Sequence, residues 1–271
     1  MPPAARLECA PYRPRLTRCQ MHPPNISVAL TIAGSDSGGD AGIQADLKTF
    51  ADLKVHGTTA ITCLTAQNPG GISRLEPSTP KMVRAQLEAI VAHFTPRAAK
   101  TGMLYSAAIV REVAHFFIRN PLILLTADPV MVSTSGRQLL HGEGIKALKK
   151  HLLPLAKIVT PNVAEAEILI GRKIRSLDQL RAAAAEIYRS FGCAALVKGG
   201  HLPESGEAVD FFHGREGEWM LSSPRAADVA LHGAGCTYSA AITAWMTRGK
   251  SRIKSVELAK NYITRRIFET R

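Results

Sequence analysis

Five short apolar runs alternate with longer amphipathic segments along the chain, and this alternation is the feature that most constrains the fold. The runs are apolar on both faces, as buried parallel strands are. They are ISVALTIAG (26–34), TTAITCLTAQ (58–67), LILLTADPV (122–130), AKIVTPN (156–162) and AALVKGG (194–200). The segments with apolar residues at helical spacing are GIQADLKTFADL (42–53), PKMVRAQLEAIVAHF (80–94), AAIVREVAHFF (107–117), LDQLRAAAAEIYRSF (177–191) and CTYSAAITAWMTR (236–248). This order predicts a layered α/β fold with crossover helices.

A late stretch interrupts this rhythm. In AVDFFHGREGEWMLSSPR (208–225), two extended runs flank the turn residues His-Gly-Arg-Glu-Gly-Glu. Such turn residues between extended runs are typical of an antiparallel hairpin. We therefore expect an antiparallel hairpin late in the sheet.

The excess positive charge is concentrated at the two ends of the chain. The formal net charge is +12, and nine of these charges lie in residues 1–25 and 248–271. The sequence contains no basic stripe interleaved with aromatic residues, so we expect no nucleic-acid partner. Residues 1–25 are rich in Pro and Arg and have no helical or strand period, which predicts a disordered basic tail with Met21 as an alternative start. The prolines argue against the amphipathic helix that a transit peptide forms.

The cysteines argue against a disulfide-bonded or zinc-binding protein. The five cysteines, Cys9, Cys19, Cys63, Cys193 and Cys236, are scattered and never form C-x-x-C. This usage favours a reducing cytoplasm. Because no apolar run reaches the roughly 18–20 residues that span a bilayer and no secretory signal opens the chain, we expect a cytoplasmic protein without a membrane partner.

Polar and glycine-rich segments follow the predicted strands. Ligands of open α/β sheets gather at the carboxyl ends of the strands, so these segments are the expected site. They are GSDSGGDAGIQADLKTF (34–50), AQN (66–68), DPVMVSTSG (128–136), TPNVAEAE (160–167) and KGGH (198–201). The first is a Gly-rich loop that leads into a helix, but it is neither G-x-G-x-x-G nor a P-loop and is a weak signal alone.

The segment HGAGCTYSAA (232–241) places Cys236 at a predicted helix start, directly after Gly-Ala-Gly. Small residues let a ligand approach the backbone there, and free N–H groups at a helix start attract negative charge such as phosphate. The same field stabilises a thiolate, so we expect the pKa of Cys236 to fall below its usual value of about 8.5. Cys63 and Cys193 lie in apolar stretches and are expected in the core.

Seven blocks, in this order and spacing, resemble the hydroxymethylpyrimidine and phosphomethylpyrimidine kinases of thiamine biosynthesis, which belong to the ribokinase-like superfamily. They are GSDSGGDAGIQADLKTF, AQN, KTGML (100–104), DPVM, TPNVAEAE, VKGGH and HGAGCTYSAA. The likeness runs from about residue 26 to about residue 262. It implies a three-layer α/β/α fold with a central, mostly parallel sheet. It also implies ATP-dependent phosphorylation of 4-amino-5-hydroxymethyl-2-methylpyrimidine, its monophosphate or both.

Two other functions stay open at this point. Pyridoxal kinase shares the fold and the Gly-rich anion site. The GIQADLKTF block, and a cysteine where ribokinases and many vitamin kinases have aspartate, favour the pyrimidine kinases. A non-catalytic pyrimidine-binding protein would keep the pocket but would release no ADP, which separates it from either kinase.

The resemblance implies that the catalytic groups lie at the start of the late helix. The backbone N–H groups of Gly233, Ala234, Gly235 and Cys236 would bind the transferring phosphoryl group as an oxyanion hole does. Cys236 would accept the proton of the acceptor hydroxyl. The negative phosphoryl group and the accepted proton would therefore both lie at the start of this helix.

The resemblance also implies the groups around the nucleotide. Asp128 and Glu165 would hold Mg²⁺ with its waters beside the phosphates of ATP, because Mg²⁺ favours hard oxygen ligands. Glu165 also fits the role of a first-turn carboxylate without a metal. The implied nucleotide-binding residues are Asn162, Lys198, Thr237 and Lys260.

The pyrimidine needs a few polar groups inside an apolar pocket. By resemblance, Asp46 and Gln67 would hydrogen-bond the ring. The implied walls are Gly34, Met103 and Val130. Asp46 also fits a helix that simply favours a carboxylate near its start.

The chain departs from the family pattern at three places. Asp40 stands inside the Gly-rich loop, where a carboxylate would repel phosphate or hinder a glycine-like backbone. Ala234 replaces a common threonine, and the glycine- and histidine-rich tail that usually follows the last helix is missing after ITRRIFETR. We expect residues 26–271 to form a single kinase domain. The resemblance suggests a homodimer, although the sequence leaves the number of subunits open.

Overall fold

The computed structural model describes residues 26–68, 70–133, 136–200, 206–225 and 233–269. The predicted N-terminal tail, residues 1–25, lies outside the described residues, as does the histidine of the KGGH block. All statements below concern the described ranges.

One sheet of nine strands forms the centre of the described structure. Its strands are β1 (Val28–Asp36), β2 (His56–Asn68), β3 (Gly71–Pro77), β4 (Ala98–Thr101), β5 (Leu124–Ala127), β6 (Ile158–Val159), β7 (Ala194–Lys198), β8 (Glu207–Gly214) and β9 (Gly217–Pro224). The spatial order is β3-β2-β1-β4-β5-β6-β7-β8-β9. The order changes direction at β1, which has β2 on one side and β4 on the other.

Six neighbouring strands run parallel, in the spatial order β2, β1, β4, β5, β6 and β7. The remaining pairings, which involve β3, β8 and β9, are antiparallel. The late hairpin predicted at residues 208–225 is confirmed as β8 and β9. The sequence pattern missed two of the strands. One is β4, because its four residues, Ala98–Thr101, are too short to show a period and include a lysine. The other is β3, an edge strand with mostly exposed side chains that pairs with β2.

Eight α-helices accompany the sheet in the described residues, and the last two follow β9. They are α1 (Gly42–Asp52), α2 (Pro80–Val91), α3 (Ala107–Arg119), α4 (Gly142–Ala147), α5 (Val163–Ile170), α6 (Leu177–Phe191), α7 (Ala234–Thr247) and α8 (Arg252–Glu269). The five predicted helices correspond to α1, α2, α3, α6 and α7. A π turn and a 3₁₀ turn continue α4 over residues 148–155. Among the described helices, none combines the length and apolar character that a membrane crossing requires.

Two apolar cores lie on opposite faces of the sheet, so the fold has the expected three layers. Alternate strand residues point to opposite faces. Leu30 packs in the core formed with α2, α3, α5 and α6, whereas its neighbour Ala29 packs in the core formed with α1, α7 and α8. Ala99 and Ala98 of β4 divide in the same way. Strands buried on both faces explain why the sequence shows continuous apolar runs rather than alternation.

We expect Leu30→Ala to lower the free energy of unfolding by about 2–5 kcal/mol, because it opens a cavity in a close-packed core. Leu30 is 0% exposed. Leu122→Ala is the matched control, since Leu122 is 89% exposed and its truncation should cost less than about 0.5 kcal/mol. Urea unfolding measures both. Equal costs for the two variants would contradict the placement of β1 at the centre.

Candidate active site

A single continuous cavity of about 1050 Å³ opens at the carboxyl ends of the parallel strands. It is lined by residues in or just after the carboxyl ends of β1, β2, β4, β5, β6 and β7, together with the start of α7 and one side of α8. The lining includes thirteen of the predicted site residues: Gly34, Gln67, Met103, Val130, Asp128, Asn162, Glu165, Lys198, Gly233, Ala234, Gly235, Cys236 and Lys260. Asp46 and Thr237 are not part of the lining. Residues distant in sequence therefore meet at one edge of the sheet.

The Gly-rich loop is organised by Asp36, which sequence reasoning did not single out. Its Oδ1 accepts a hydrogen bond from the Gly38 N–H at 2.8 Å. Its Oδ2 accepts from the N–H groups of Asp40 at 3.2 Å and Ala41 at 2.8 Å. Because the loop uses these N–H groups internally, the start of α7 is the better anion site.

Asp40 does not disturb the loop in the way the sequence suggested. Among the described residues, the non-glycine positions with positive φ are Lys54 and Tyr105, so Asp40 adopts no glycine-like backbone. Its carboxylate lies 3.6 Å from the ammonium of Lys48 and is about half exposed. The Asp40 side chain is not part of the cavity lining.

The start of α7 packs tightly against the Gly-rich loop at Gly233. This residue has φ of +77°, and a Cβ there would overlap the carbonyl oxygen of Asp40. Only glycine combines this backbone conformation with this close approach. Among the described residues, no side chain caps α7, and its first residues line the cavity. The result is a helix start with a fixed position, a geometry that favours anions.

Cys236 lies in the first turn of α7, but its thiol differs from the expected thiolate. Burial raises the pKa of Cys236 to about 11, which is opposite to the predicted fall. The positive charge of Lys100 and an N–H from Gly42 oppose this rise, and the carboxylates of Asp46 and Asp128 add to it. Loss of hydration outweighs the helix-start field, which sequence reasoning considered alone. Cys63 and Cys193 are buried, as predicted.

Asp46 lies behind the cavity wall rather than in it. Its Oδ2 accepts hydrogen bonds from Thr31 Oγ1 at 2.6 Å and from Lys100 Nζ at 3.0 Å. Its side chain is 0% exposed, so the geometry does not support the expected contact with the pyrimidine ring. Lys100 was overlooked in the sequence, although a lysine within an apolar strand is a visible signal.

Asp128 is the centre of a buried polar cluster after β5. Its Oδ1 accepts hydrogen bonds from Thr160 Oγ1 at 3.1 Å and Lys198 Nζ at 3.3 Å. Its Oδ2 accepts a hydrogen bond from Ser239 Oγ on α7 at 2.9 Å. Lys198 also lies next to the α7 start, since a Cβ on Gly235 would be 3.4 Å from its Nζ. The cluster thus links the sheet edge to the anion site.

Asn162 and Glu165, the N-x-x-E pair, form a capping box at the start of α5. The Glu165 N–H donates to Asn162 Oδ1 and the Asn162 N–H donates to Glu165 Oε2, both at 2.9 Å. Burial raises the pKa of Glu165 to about 7; the nearby charge of Asp128 adds to this rise, and Lys198 opposes it. The pattern therefore has a structural role in addition to its place in the cavity.

The carboxylates after β5 and β6 fit a magnesium ion that is bound mainly through phosphates. The described residues contain no cluster of three His, Cys, Asp or Glu side chains suited to a metal. Mg²⁺ that arrives with a nucleotide needs only one or two carboxylates, since phosphates and waters fill its other positions. Glu165 and Asp128 are both buried; burial, and then the negative charge of Asp128, raises the pKa of Glu165, and a cation would relieve that repulsion.

An apolar pocket lies at the β1 and β2 side of the cavity. Met103 packs there with Cys63 and Leu139, and Val130 lies against the same cluster. Gln67 lines the cavity. Its backbone N–H donates a hydrogen bond to Ser37 Oγ of the Gly-rich loop at 2.8 Å. The pocket thus offers the polar side chain of Gln67 beside apolar walls, as an aromatic heterocycle requires.

The opposite side of the cavity is formed by β8 and α8. Lys260 Nζ donates to Asp210 Oδ2 at 2.8 Å and to the Ala208 carbonyl oxygen at 2.9 Å. Burial, followed by the charge of Asp210, raises the pKa of Tyr238 well above its usual value. Neither Asp210 nor Tyr238 was predicted as a site residue from the sequence. Thr237 lies in the first turn of α7, where its N–H donates to the Gly233 carbonyl oxygen.

Comparison with known proteins agrees with this geometry. The family model described as phosphomethylpyrimidine kinase matches residues 36–270. The hydroxymethylpyrimidine/phosphomethylpyrimidine kinase of Bacillus subtilis is 40% identical over 246 residues, which cover 91% of each chain.

Two solved structures resemble the whole described fold. The phosphomethylpyrimidine kinase of Clostridium difficile 630 is 41% identical, with a TM-score of 0.79, and the match covers 90% of this chain and 100% of that one. The pyridoxal kinase of Bacillus subtilis, solved as an ADP complex, is 37% identical with a TM-score of 0.82. That match covers 89% of this chain and 91% of the other.

We expect Gly233→Ala to weaken ATP binding by at least about tenfold, equivalent to about 1.4 kcal/mol, because its Cβ pushes the Gly-rich loop away from α7. Gly171→Ala is the matched control. Gly171 has nearly the same φ, +76°, but nothing lies within 4 Å of an added Cβ. The Gly171→Ala variant should lose about 1–2 kcal/mol in free energy of unfolding and keep its ATP affinity. Titration calorimetry and thermal melts separate the two; unchanged ATP affinity in Gly233→Ala would contradict the close approach.

Proposed function

The chain belongs to the phosphomethylpyrimidine kinase family, and from this premise we propose which of its residues carry out the phosphoryl transfer. The chain is a phosphotransferase of thiamine biosynthesis that uses ATP to phosphorylate 4-amino-5-hydroxymethyl-2-methylpyrimidine, its monophosphate or both. Phosphoryl transfer depends mainly on positioning and electrostatics. The residue roles below follow from these two requirements.

The observation on which the proposal depends is that the anion site of α7 and the apolar pocket open into one cavity. The N–H groups of Gly233, Ala234, Gly235 and Cys236 bind the γ-phosphoryl group at the helix start. Lys198 adds positive charge beside them; although burial alone disfavours its charge, Asp128 and Glu165 raise its pKa and keep it cationic. The acceptor hydroxyl then lies in line with the phosphorus.

Cys236 accepts the proton from the acceptor. The acceptor oxygen forms the new bond to phosphorus, the bond from phosphorus to the ADP oxygen breaks, and ADP leaves with that electron pair. The proton passes from the hydroxyl to the Cys236 sulfur. A thiol with a pKa of about 11 is a strong base once it is deprotonated, but only a small fraction is deprotonated at neutral pH.

The remaining groups bind and orient the two substrates. Gln67 hydrogen-bonds the pyrimidine, and Gly34, Met103 and Val130 form its walls. Asn162 and Lys260 border the nucleotide, for which the side of α8 with Ile263 and Ile267 supplies apolar contact.

Magnesium is the ion that we propose beside the phosphates, where it would neutralise charge on the transferring group. Asp128 and Glu165 would hold it with its waters. The support for this assignment is the burial of both carboxylates in the cavity next to Lys198.

We also propose that residues 26–271 form one kinase domain, because a single sheet joins all elements from β1 to β9. We also propose a homodimer, which the family resemblance suggests, and a cytoplasmic location, which the cysteine usage favours. Sedimentation equilibrium of the purified protein tests the number of subunits.

A coupled ADP-release assay tests the function. With the pyrimidine alcohol or its monophosphate as acceptor, we expect turnover, and pyridoxal serves as a third acceptor because pyridoxal kinases share the fold. Cys236→Ser should lower kcat by about 10²–10⁴, the range for a lost general base, while both ligands still bind. Cys236→Asp should recover part of the rate. Pyrimidine binding without ADP release would identify a non-catalytic binder, and turnover of pyridoxal alone would identify a pyridoxal kinase.

The same variants have a distinct pH dependence. Below a pKa of about 11, the thiolate fraction rises tenfold per pH unit, so wild-type kcat/KM should rise steeply between about pH 6 and pH 8. A carboxyl group has a much lower ordinary pKa than a thiol, so at position 236 it titrates at lower pH and Cys236→Asp should give a flatter profile. Parallel profiles for the two proteins would remove Cys236 as the base.

We expect Glu165→Gln to raise the Mg²⁺ concentration needed for half-maximal activity and to leave pyrimidine affinity nearly unchanged. The glutamine carbonyl still accepts the hydrogen bond of the Asn162 N–H, so the helix cap is kept while the charge is lost. Glu88→Gln on the exposed face of α2 is the charge-matched control. An unchanged magnesium titration in Glu165→Gln would exclude Glu165 from the metal site.

A further inference from the structure

A completely buried ion pair lies beneath the cavity, outside the residues assigned above to substrate or nucleotide. Lys100 on β4 and Asp46 on α1 have side chains that are 0% exposed. Lys100 Nζ lies 2.9 Å from Asp46 Oδ1 and donates to Oδ2 at 3.0 Å. Thr31 on β1 donates a further hydrogen bond to Oδ2. Three elements therefore hold one pair of charges in place.

Stability alone does not account for this pair. Removing two charges from water costs several kcal/mol per ion, and apolar residues of similar volume often serve as well or better. The surrounding strand is otherwise small and uncharged, since β4 reads Ala-Ala-Lys-Thr with every residue buried. A buried lysine at such a position points to a use for its charge.

The ammonium of Lys100 lies directly under the wall of the site. A Cβ added to Gly102, which lines the cavity, would be 3.2 Å from Lys100 Nζ. An ammonium has three N–H donors, and in the described residues its hydrogen bonds go to Asp46 alone. The glycine at position 102 thus leaves room for the charge to act close to the transfer site.

Four charged side chains interact electrostatically with the Cys236 thiol. Lys100 from β4 favours negative charge on the sulfur, and Asp46 from α1 and Asp128 after β5 disfavour it. Lys198 from β7 is the fourth, and it interacts with the same sulfur. The Gly42 N–H at the start of α1 is the remaining polar partner. Burial makes each of these interactions stronger than it would be in water.

We propose that Lys100 is a positioning residue for the phosphoryl transfer: its buried charge favours the thiolate of Cys236, and Asp46 holds that charge in place while partly offsetting it. The inference rests on the proposed role of Cys236 as the proton acceptor. When the acceptor hydroxyl loses its proton, the sulfur changes from anion to neutral thiol. Lys100 itself exchanges no proton, because its pairing with Asp46 outweighs the effect of burial and raises its pKa.

The two members of the pair have opposite effects, and this gives a test that needs no turnover. The pH dependence of alkylation of Cys236 by iodoacetamide, followed by mass spectrometry of its peptide, reports the thiolate fraction. We expect Lys100→Met to slow alkylation at pH 8 by about tenfold or more, and Asp46→Asn to accelerate it by a similar factor. The shifts should also appear in the pH profile of kcat/KM.

Matched variants separate the effect of a lost charge on alkylation from the effect of a destabilised fold. Thr31→Val removes a hydrogen bond of the same pair without changing any charge, so its alkylation profile should stay close to that of the wild type even if its melting temperature falls. If Lys100→Met does not fold, the alkylation rates of Asp46→Asn and Lys100→Arg are compared instead. Asp46→Asn should react faster than the wild type, and Lys100→Arg, which keeps the cation, should react at a similar rate. Shifts in the same direction for Lys100→Met and Asp46→Asn, or no shift in either, would overturn the proposal. A wild-type protein without ADP release would instead contradict the proposed function, since alkylation requires no catalysis.

Discussion

Parallel strands that are buried on both faces must be covered by helices above and below, and this requirement determines where the chemistry of this protein lies. Every crossover returns the chain to the same edge, so the carboxyl ends of six strands meet at one cavity. The start of α7 reaches that edge from the helical layer. Its contact with the Gly-rich loop at Gly233 leaves no room for a side chain, and it fixes the backbone anion site against the sheet.

Three buried lysine–aspartate pairs surround this cavity. Lys198 pairs with Asp128 near the start of α7, Lys260 pairs with Asp210 at the α8 side, and Lys100 pairs with Asp46 behind the wall at Gly102. Each pair joins a strand to another element, so the charges are held without rearrangement when substrate binds. Preorganised charge of this kind is the main means by which proteins stabilise phosphoryl transfer.

Much of the site was visible in the sequence, because strand ends and glycine patterns mark the edge of a parallel sheet. Gln67, Asp128 and Lys198 all follow predicted strands and all line the cavity. Asp46 was misplaced, since a helix pattern does not reveal that Lys100, 54 residues later, occupies its carboxylate. The Asn162–Glu165 pair has a second reason for its spacing, because the same N-x-x-E pattern closes a capping box.

The sequence by itself determined the layered α/β architecture, the late hairpin, and the order in which the site segments appear, because periodicity and turn residues are local properties of the chain. The tertiary structure alone decided the ionisation of the site. Cys236 has the helix-start position that lowers a thiol pKa, yet burial raises that pKa to about 11. The charges that oppose or add to this effect come from Lys100, Asp46 and Asp128, which lie on three other elements. The physical reason is that hydration is lost and distant charges approach only when the chain folds.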